Sequence, residues 1–376
     1  MERIKVLHIT QSIGGVETYL KQVIQNIDRS RFDLSIASCE PSLEKLCALH
    51  EIPYFDIKMS RGVNPFVDII SIFKIRALIK KQKPGIVHLH SSKAGFVGRI
   101  GAKFAGCPSL FTPHGVSYLA FTGAKRMIFF LLELLGKKFT HKVLAISQSE
   151  ANRCIYEIGI KPDDIYVIPN SMTIPTVPVL VPDKLGPLEG DVKIGTIGRL
   201  TAQKNPILFV DIANGVIKGN NKVHFYFLGA GFHEDLGKEV KERIEYHGIE
   251  ANFHIIPKGD SIVALNFLRQ LDIFLLPSVF EGLPYALLEA MFEAVPCIVS
   301  KCDGNNDVID NNDNGYACLV TDEFVSVITK LIANKEKAVE IGKAGRQYVI
   351  DRHDISNNIK VLESIYTEAG KKGKSS

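Results

Sequence analysis

Two glutamates eight residues apart, Glu281 and Glu289, stand on either side of a turn made by Gly282, Leu283 and Pro284. The apolar run before them, residues 274–276, is of strand type. Proline at the head of the periodic stretch that follows fits the first turn of a helix, where its missing N–H is not needed. The backbone amides of Gly282 and Leu283, with the positive end of the helix dipole, suit an anion such as phosphate. At 1.5 Å per helical residue the two carboxylates lie up to ~12 Å apart, about the span from a sugar to a ribose across a diphosphate. Singly, Glu289 also reads as the partner of a neighbouring side chain and Glu281 as a helix cap. Their combination with a phosphate-ready turn points to a nucleotide-linked ligand.

A second group, Gly198, Arg199, Lys204, Asn205 and Pro206, follows the strand-type run 193–197. Gly198 lets backbone come close. Arg199, a planar fork, and Lys204, a point charge, can neutralise two phosphate charges, although alone they also read as surface cations at a helix start. No Asp-x-Asp pair accompanies a strand end, so no metal or other cofactor is expected. Nearer the start, residues 4–9 lead into a turn with Gly14 and Gly15. It lacks the spacing of a dinucleotide fingerprint, and serves either as a plain tight turn or as a place where backbone touches phosphate. His114, beside Gly115 after the run 109–112, can donate or accept a hydrogen bond near neutral pH, or be structural. His88 and His90, two apart at another strand end, lack further ligands for a metal and read as structural or acceptor-lining.

The elements that must hold these residues fall into two series. Strand-like runs at 4–9, 32–39, 86–90, 109–112, 142–146 and 165–168, and again at 193–197, 224–228, 253–256, 272–276 and 297–300, alternate with amphipathic stretches such as 65–83, 93–105 and 234–247. That alternation implies parallel sheets covered on both faces, and it occurs twice, so the fold class is α/β with two doubly wound domains. Ligands should then bind beyond the carboxyl ends of the strands. Prolines 175, 178, 182 and 187 mark a linker. The expected division is residues 1–174, a linker 175–190, a second domain 191–354, and a tail 355–376 whose last residues, 370–376, form a basic end.

The whole chain of 376 residues carries a net charge of +4. Residues 1–175 hold 23 Lys and Arg against 14 Asp and Glu, whereas the remainder holds 22 against 27. The basic half suits an anionic partner, but its lysines are dispersed and no nucleic-acid fold signature accompanies them. The apolar stretch 127–135 is interrupted by Glu133 and is too short to span a bilayer. With no export signal legible and seven scattered cysteines lacking a CxxC pair, a cytoplasmic protein with reduced thiols is expected. Residues 65–83 and 124–138 each mix apolar and basic residues. The second reads either as a core helix with solvated ends or, like the first, as a surface for anionic lipid at the inner face of the membrane.

Taken together, these residues resemble the retaining glycosyltransferases of family 4, which have the GT-B fold of two Rossmann-like domains facing across a cleft. The likeness runs through Gly14-Gly15-Val16-Glu17, His114-Gly115, Pro169-Asn170, Gly198-Arg199 with Lys204-Asn205-Pro206, Gly229 and Gly231, Glu281 with Glu289, and Asn314-Gly315. It implies that Glu289 holds the donor's ribose, Glu281 the sugar hydroxyls, and Arg199 and Lys204 the diphosphate, with Gly15 closing on it from the other domain and His114 near the transferred sugar. It also implies that the C-terminal tail crosses back to the first domain. His90-Ser91-Ser92-Lys93-Ala94-Gly95 and Thr112-Pro113-His114-Gly115 look like a subgroup that builds capsular, exopolysaccharide or O-antigen units. Two departures stand out: Asn170-Ser171 where the family has Asn-Gly, and Asp303-Gly304-Asn305-Asn306-Asp307 in place of Gly-Gly-x-x-Glu. The expected reaction moves a hexose or N-acetylhexosamine from a nucleoside diphosphate, UDP in first place, to a saccharide or polyprenyl-diphosphate-linked acceptor. The competing readings are a nucleotide-sugar 2-epimerase, a phosphorylase-like enzyme, and a non-catalytic nucleotide-sugar sensor.

Overall fold

The computed structural model describes residues 3–11, 14–59, 62, 64–177, 179–229 and 234–372; Gly231, Pro178 and residues 373–376, singled out above, lie outside them. The chain forms two compact units, residues 1–173 with 355–376, and residues 174–354. In the first, the chain runs β1 (Ile4–Ile9), α1 (Gly15–Asn26), β2 (Phe32–Ser38), α2 (Pro41–Leu49), β3 (Tyr54–Asp56), α3 (Pro65–Gln82), β4 (Ile86–His90), α4 (Ser92–Ala105), β5 (Ser109–Thr112), α5 (Gly123–Lys137), β6 (Lys142–Ala145), α6 (Gln148–Tyr156) and β7 (Ile165–Val167). In the second it runs β8 (Val192–Ile197), α7 (Pro206–Ile217), β9 (Val223–Gly229), α8 (Glu234–His247), β10 (Phe253–Pro257), α9 (Ser261–Leu268), β11 (Ile273–Leu276), α10 (Tyr285–Phe292), β12 (Cys297–Ser300), β13 (Tyr316–Cys318), α11 (Thr321–Ala333) and α12 (Lys335–Arg352). A last helix, α13 (Ile355–Lys372), belongs to the first unit.

Both sheets are parallel, ordered β3-β2-β1-β4-β5-β6-β7 and β10-β9-β8-β11-β12-β13. Their central strands are largely buried because helices cover both faces, although β1 and β4 carry His8, His88 and His90. In the second unit Phe209 of α7 meets Phe225, Phe227 and Phe253 edge to face, at centroid distances of 5.6–5.8 Å. The proline-rich segment after residue 174 is tied to this unit by side chains: Leu188 N–H donates to Gln270 Oε1 (2.8 Å), Tyr226 Oη–H to the Glu189 carbonyl (2.8 Å), and Lys184 pairs with Asp260 at 2.6 Å.

α13 packs on the first unit through α1 and β1. Arg31 pairs with its Glu363 at 2.9 Å, and the Ile355 N–H donates to the Met172 carbonyl. Asn358 donates to Ser171 Oγ, so the serine that replaces the family's glycine supplies a side-chain anchor for this helix.

Glu133, which interrupts the apolar stretch of α5, is buried and paired with the buried Arg99 of α4 at 2.8 Å. The guanidinium also donates to Thr140 Oγ1 (3.1 Å) and the Gly95 carbonyl (3.0 Å), and it lies 4.1 Å from the Phe111 ring centroid. The pair therefore clamps α5 onto α4 by its inner face. Removing one partner leaves a buried charge without its counterion, which costs about 3–5 kcal/mol. Glu133→Ala is expected to lower the urea unfolding free energy of the first unit by that amount, with the baseline far-UV circular dichroism unchanged.

Candidate functional site

β8 opens the second sheet, and the chain proceeds from it in opposite directions, to β9 and β10 on one side and to β11 on the other. That reversal is where open α/β sheets take ligands. The loops leaving β8 and β11 meet there. Lys204 Nζ lies 2.6 Å from Glu281 Oε1, and Gln203 Nε2 donates to Glu281 Oε2 (3.4 Å) and to the Phe280 carbonyl (3.1 Å). The backbone joins too, Val279 N–H donating to the Gln203 carbonyl at 2.8 Å. Glu281 is only 6% exposed. It does not cap α10, whose N-cap residue, Pro284, has extended backbone and no side-chain cap.

Glycines allow this convergence. A Cβ on Gly229 would sit 2.6 Å from the Gly198 carbonyl oxygen, and one on Gly198 would meet the Lys204 stem at 3.2 Å. Beyond β12, Gly304 has φ +76°, and a Cβ there would lie 2.6 Å from the Gly282 carbonyl oxygen. The divergent segment 303–307 is thus stacked on the turn that carries Gly282. Its Asn305 is fully buried and donates to the Ser300 carbonyl at 3.0 Å, while Asn305 Oδ1 and the neighbouring Ser278 Oγ are buried without a hydrogen-bond partner.

The structure brings together Gly198, Lys204, Gly229, Glu281 and Gly282. Leu283 is buried in the turn before α10, and Glu289 is half-buried in that helix's second turn. Arg199 stands exposed directly after Gly198, and its side chain is bonded to none of the described residues. Gln203, which supports Glu281, was not singled out in the sequence. Its position between Arg199 and Lys204 gave no signal, because its importance comes from the pairing of β8 with β11. Gly304 lies in the segment that departs from the family's pattern, but its approach to the Gly282 carbonyl is not legible there.

The other predicted residues lie in the first unit. Gly14, with φ +81°, is the N-cap of α1, and a Cβ on either Gly14 or Gly15 would meet none of the described residues within 4 Å. The N-terminal turn of this helix is therefore open. His114 has φ +56° and Gly115 φ +97°. Glu150 of α6, itself buried, braces this turn by accepting from the Gly115 N–H (2.6 Å) and the Ile146 N–H (2.9 Å).

His88 and His90 do not stand alone. Pairing of β1 with β4 sets His8 opposite His88. His8 Nδ1 lies 2.9 Å from His90 Nε2, and His90 Nδ1 lies 3.0 Å from His114 Nε2. His88 is held between the Tyr366 hydroxyl of α13 (2.6 Å) and Thr112 Oγ1 (2.8 Å). Burial pushes His8 and His114 down to about 3, and burial with the neighbouring imidazoles holds His88 and His90 well below the ordinary range. All four rings are neutral near pH 7. Nitrogens of His8, His88 and His90 lie close enough together to share a cation. Here the nitrogens of His88 and His90 are engaged in the hydrogen bonds just described, as is His8 Nδ1. His8 and Tyr366 are additions that periodicity cannot reveal, since each comes from a distant part of the chain.

Residues 13–173 match the family described as Glycosyltransferase Family 4, and residues 181–348 the family Glycosyl transferases group 1. The chain is 28% identical to an Escherichia coli UDP-Gal:alpha-D-GlcNAc-diphosphoundecaprenol alpha-1,3-galactosyltransferase over 97% of both chains. It is 23% identical to the Staphylococcus aureus capsular polysaccharide biosynthesis glycosyltransferase CapM, again over 97% of each. Among solved structures it resembles Anabaena Alr3699/HepE in complex with UDP and glucose, with a TM-score of 0.81 at 17% identity over 97% of this chain and 100% of that one. The fold is GT-B, and with a Family 4 half followed by a group 1 half this chain belongs to the glycosyltransferases.

Proposed function

We propose that the chain transfers a hexose or N-acetylhexosamine from a UDP-sugar, with its anomeric configuration kept, to a hydroxyl of a polyprenyl-diphosphate-linked saccharide during surface-polysaccharide synthesis. The observation that carries this is the meeting of Lys204, Glu281 and the Gly282 turn at the reversal between β8 and β11. A lysine ammonium has three donors, so Lys204 can hold Glu281 and still direct two N–H groups at a diphosphate. Arg199 adds a second cation, and Glu289 reaches the ribose from further along α10. The E. coli relative supports both the UDP donor and the lipid-linked acceptor. Since UDP-galactose is α-configured, the α linkage in that protein's name also supports retention. Departure of UDP places negative charge on the diphosphate, and preorganised cations stabilise that charge in the transition state.

Glu281 is a poor nucleophile in this setting, because Lys204 and Gln203 already satisfy both carboxylate oxygens. Binding of the sugar hydroxyls by Glu281, with attack from the side the diphosphate leaves, fits the geometry better. Gly14 and Gly15 are assigned to the donor and His114 to the transferred sugar.

The lipid-linked acceptor requires access to a membrane surface. No helix among the described residues is long and apolar enough to cross a bilayer. The outer face of α3, however, presents Phe66 (83% exposed), Ile69, Ile70 and Phe73 (60% exposed), spaced i, i+3, i+4, i+7, followed by exposed Lys74, Arg76, Lys80 and Lys81. On α5, Met127, Ile128 and Leu131 also face outward, so this is not a core helix with only its ends solvated. Both helices pack on α4. An apolar face beside a basic one suits insertion into an anionic leaflet.

Three measurements test this reading. Incubated with UDP-hexose and N-acetylglucosaminyl-diphosphate-polyprenol, the purified chain is expected to release UDP and form an α-linked disaccharide lipid; conversion of the donor without acceptor would favour the epimerase. Arg199→Ala is expected to lower kcat/KM by about 10²-fold or more. Replacing Phe66, Ile70 and Phe73 together by Ser should cut cosedimentation with phosphatidylglycerol vesicles by at least about tenfold, since each buried side chain is worth about 1.5–3 kcal/mol. Transfer to a water-soluble acceptor should persist in that variant.

A further inference from the structure

The three imidazoles His8, His90 and His114 form a chain with only two ways to place their protons. Each neutral ring carries one N–H and one bare nitrogen. The contacts His8 Nδ1 to His90 Nε2 (2.9 Å) and His90 Nδ1 to His114 Nε2 (3.0 Å) each need one donor and one acceptor. Either every proton sits on Nδ1, with His8 donating to His90 and His90 to His114, or every proton sits on Nε2 and the direction reverses. A mixed arrangement sets two donors or two lone pairs against each other.

The far end of the chain decides between them. His8 Nε2 is buried and has no hydrogen-bond partner among the described residues. With the protons on Nε2, that atom would be a buried N–H donating to nothing. With the protons on Nδ1 it is a bare lone pair in an apolar setting. Orphaned buried N–H groups are the rarer and costlier case. The other end is fixed as a result: His114 Nε2 accepts from His90, and His114 Nδ1, which bonds to none of the described residues, carries the proton. Tyr19 holds the His114 ring edge to face at 5.0 Å, and Glu150 fixes the turn beneath it.

We propose that His90 and His8 are positioning residues that lock His114 as a neutral imidazole protonated on Nδ1, so that it serves the reacting sugars as a hydrogen-bond donor and not as a general base. The chain is closed at His8, so it fixes a tautomer and carries no proton away. The functional half of this inference rests on the assignment of His114 to the transferred sugar made above; the tautomer does not.

Nitrogen-15 NMR of the intact protein with labelled histidine, His114 being identified by its loss in His114→Asn, reads the tautomer directly. At pH 7.5 the expected signature is a protonated Nδ1 and a bare Nε2 on His114, with the same pattern on His90 and His8. In His90→Asn the amide N–H replaces the donor to His114 Nε2, so the His114 tautomer and most of kcat should be kept. In His90→Leu the Nδ1–H preference should vanish and kcat fall about tenfold with the donor KM little changed, the loss of one oriented hydrogen bond. A protonated Nε2 on His114 in the native protein overturns the proposal, even if neither variant folds. So does an unchanged tautomer in folded His90→Leu. If the signature is found but His114→Ala transfers sugar at the native rate, the lock stands and the assignment of His114 to the sugar fails.

Discussion

The site in the second unit depends on backbone meeting backbone at the ends of neighbouring strands. The Gly229 position admits no side chain because the Gly198 carbonyl is in the way, and the Gly304 position admits none because of the Gly282 carbonyl. These two approaches draw the exits of β9, β8, β11 and β12 into one cluster of loops. The Lys204 stem then lies across Gly198, and its ammonium reaches Glu281 on the next strand's loop. A residue with a Cβ at either glycine would push the loops apart and place the ion pair out of reach. Electrostatics at the site are therefore a consequence of two missing side chains.

Much of the scaffold could be read from the chain itself. Strands such as Ile86–His90 and Ser109–Thr112 are short runs rich in aliphatic, β-branched and aromatic residues, and α8 coincides with its amphipathic period. β3 and β13 were missed because each is a three-residue edge strand without a β-branched residue (Tyr-Phe-Asp and Tyr-Ala-Cys), whereas β7, as short and also at an edge, is marked by Ile165 and Val167. The site divides the same way. Lys204 and Glu281 carry charge beside turn residues and announce themselves. Gln203, His8 and Tyr366 matter through contacts with residues 77 to 278 positions away, and Glu150 through one 35 positions away beside its near neighbour Ile146, which local pattern does not encode.

The two candidate sites hold different buried polar groups, although the first unit also buries the Arg99–Glu133 pair and the Glu150 carboxylate. Beneath the His114 turn the first unit collects four imidazoles and two phenols and keeps them uncharged, since burial removes the stabilisation that a protonated ring or a phenolate needs. Such a cluster offers hydrogen bonds of fixed direction. The second unit instead buries a charge with its counterion, Glu281 with Lys204, and leaves Arg199 exposed.

That difference bears on the proposed transfer, in which a glycosidic bond to a diphosphate is broken. A carboxylate nucleophile must be free to lose charge as it bonds to carbon, but Glu281 is held by an ammonium at 2.6 Å whose attraction would be forfeited in that step. The same ammonium gains from negative charge appearing on the departing phosphate. In that proposal Lys204 opposes covalent attack by Glu281 and favours ionisation of the bond, which leaves the positive character of the sugar to be met by the leaving group itself.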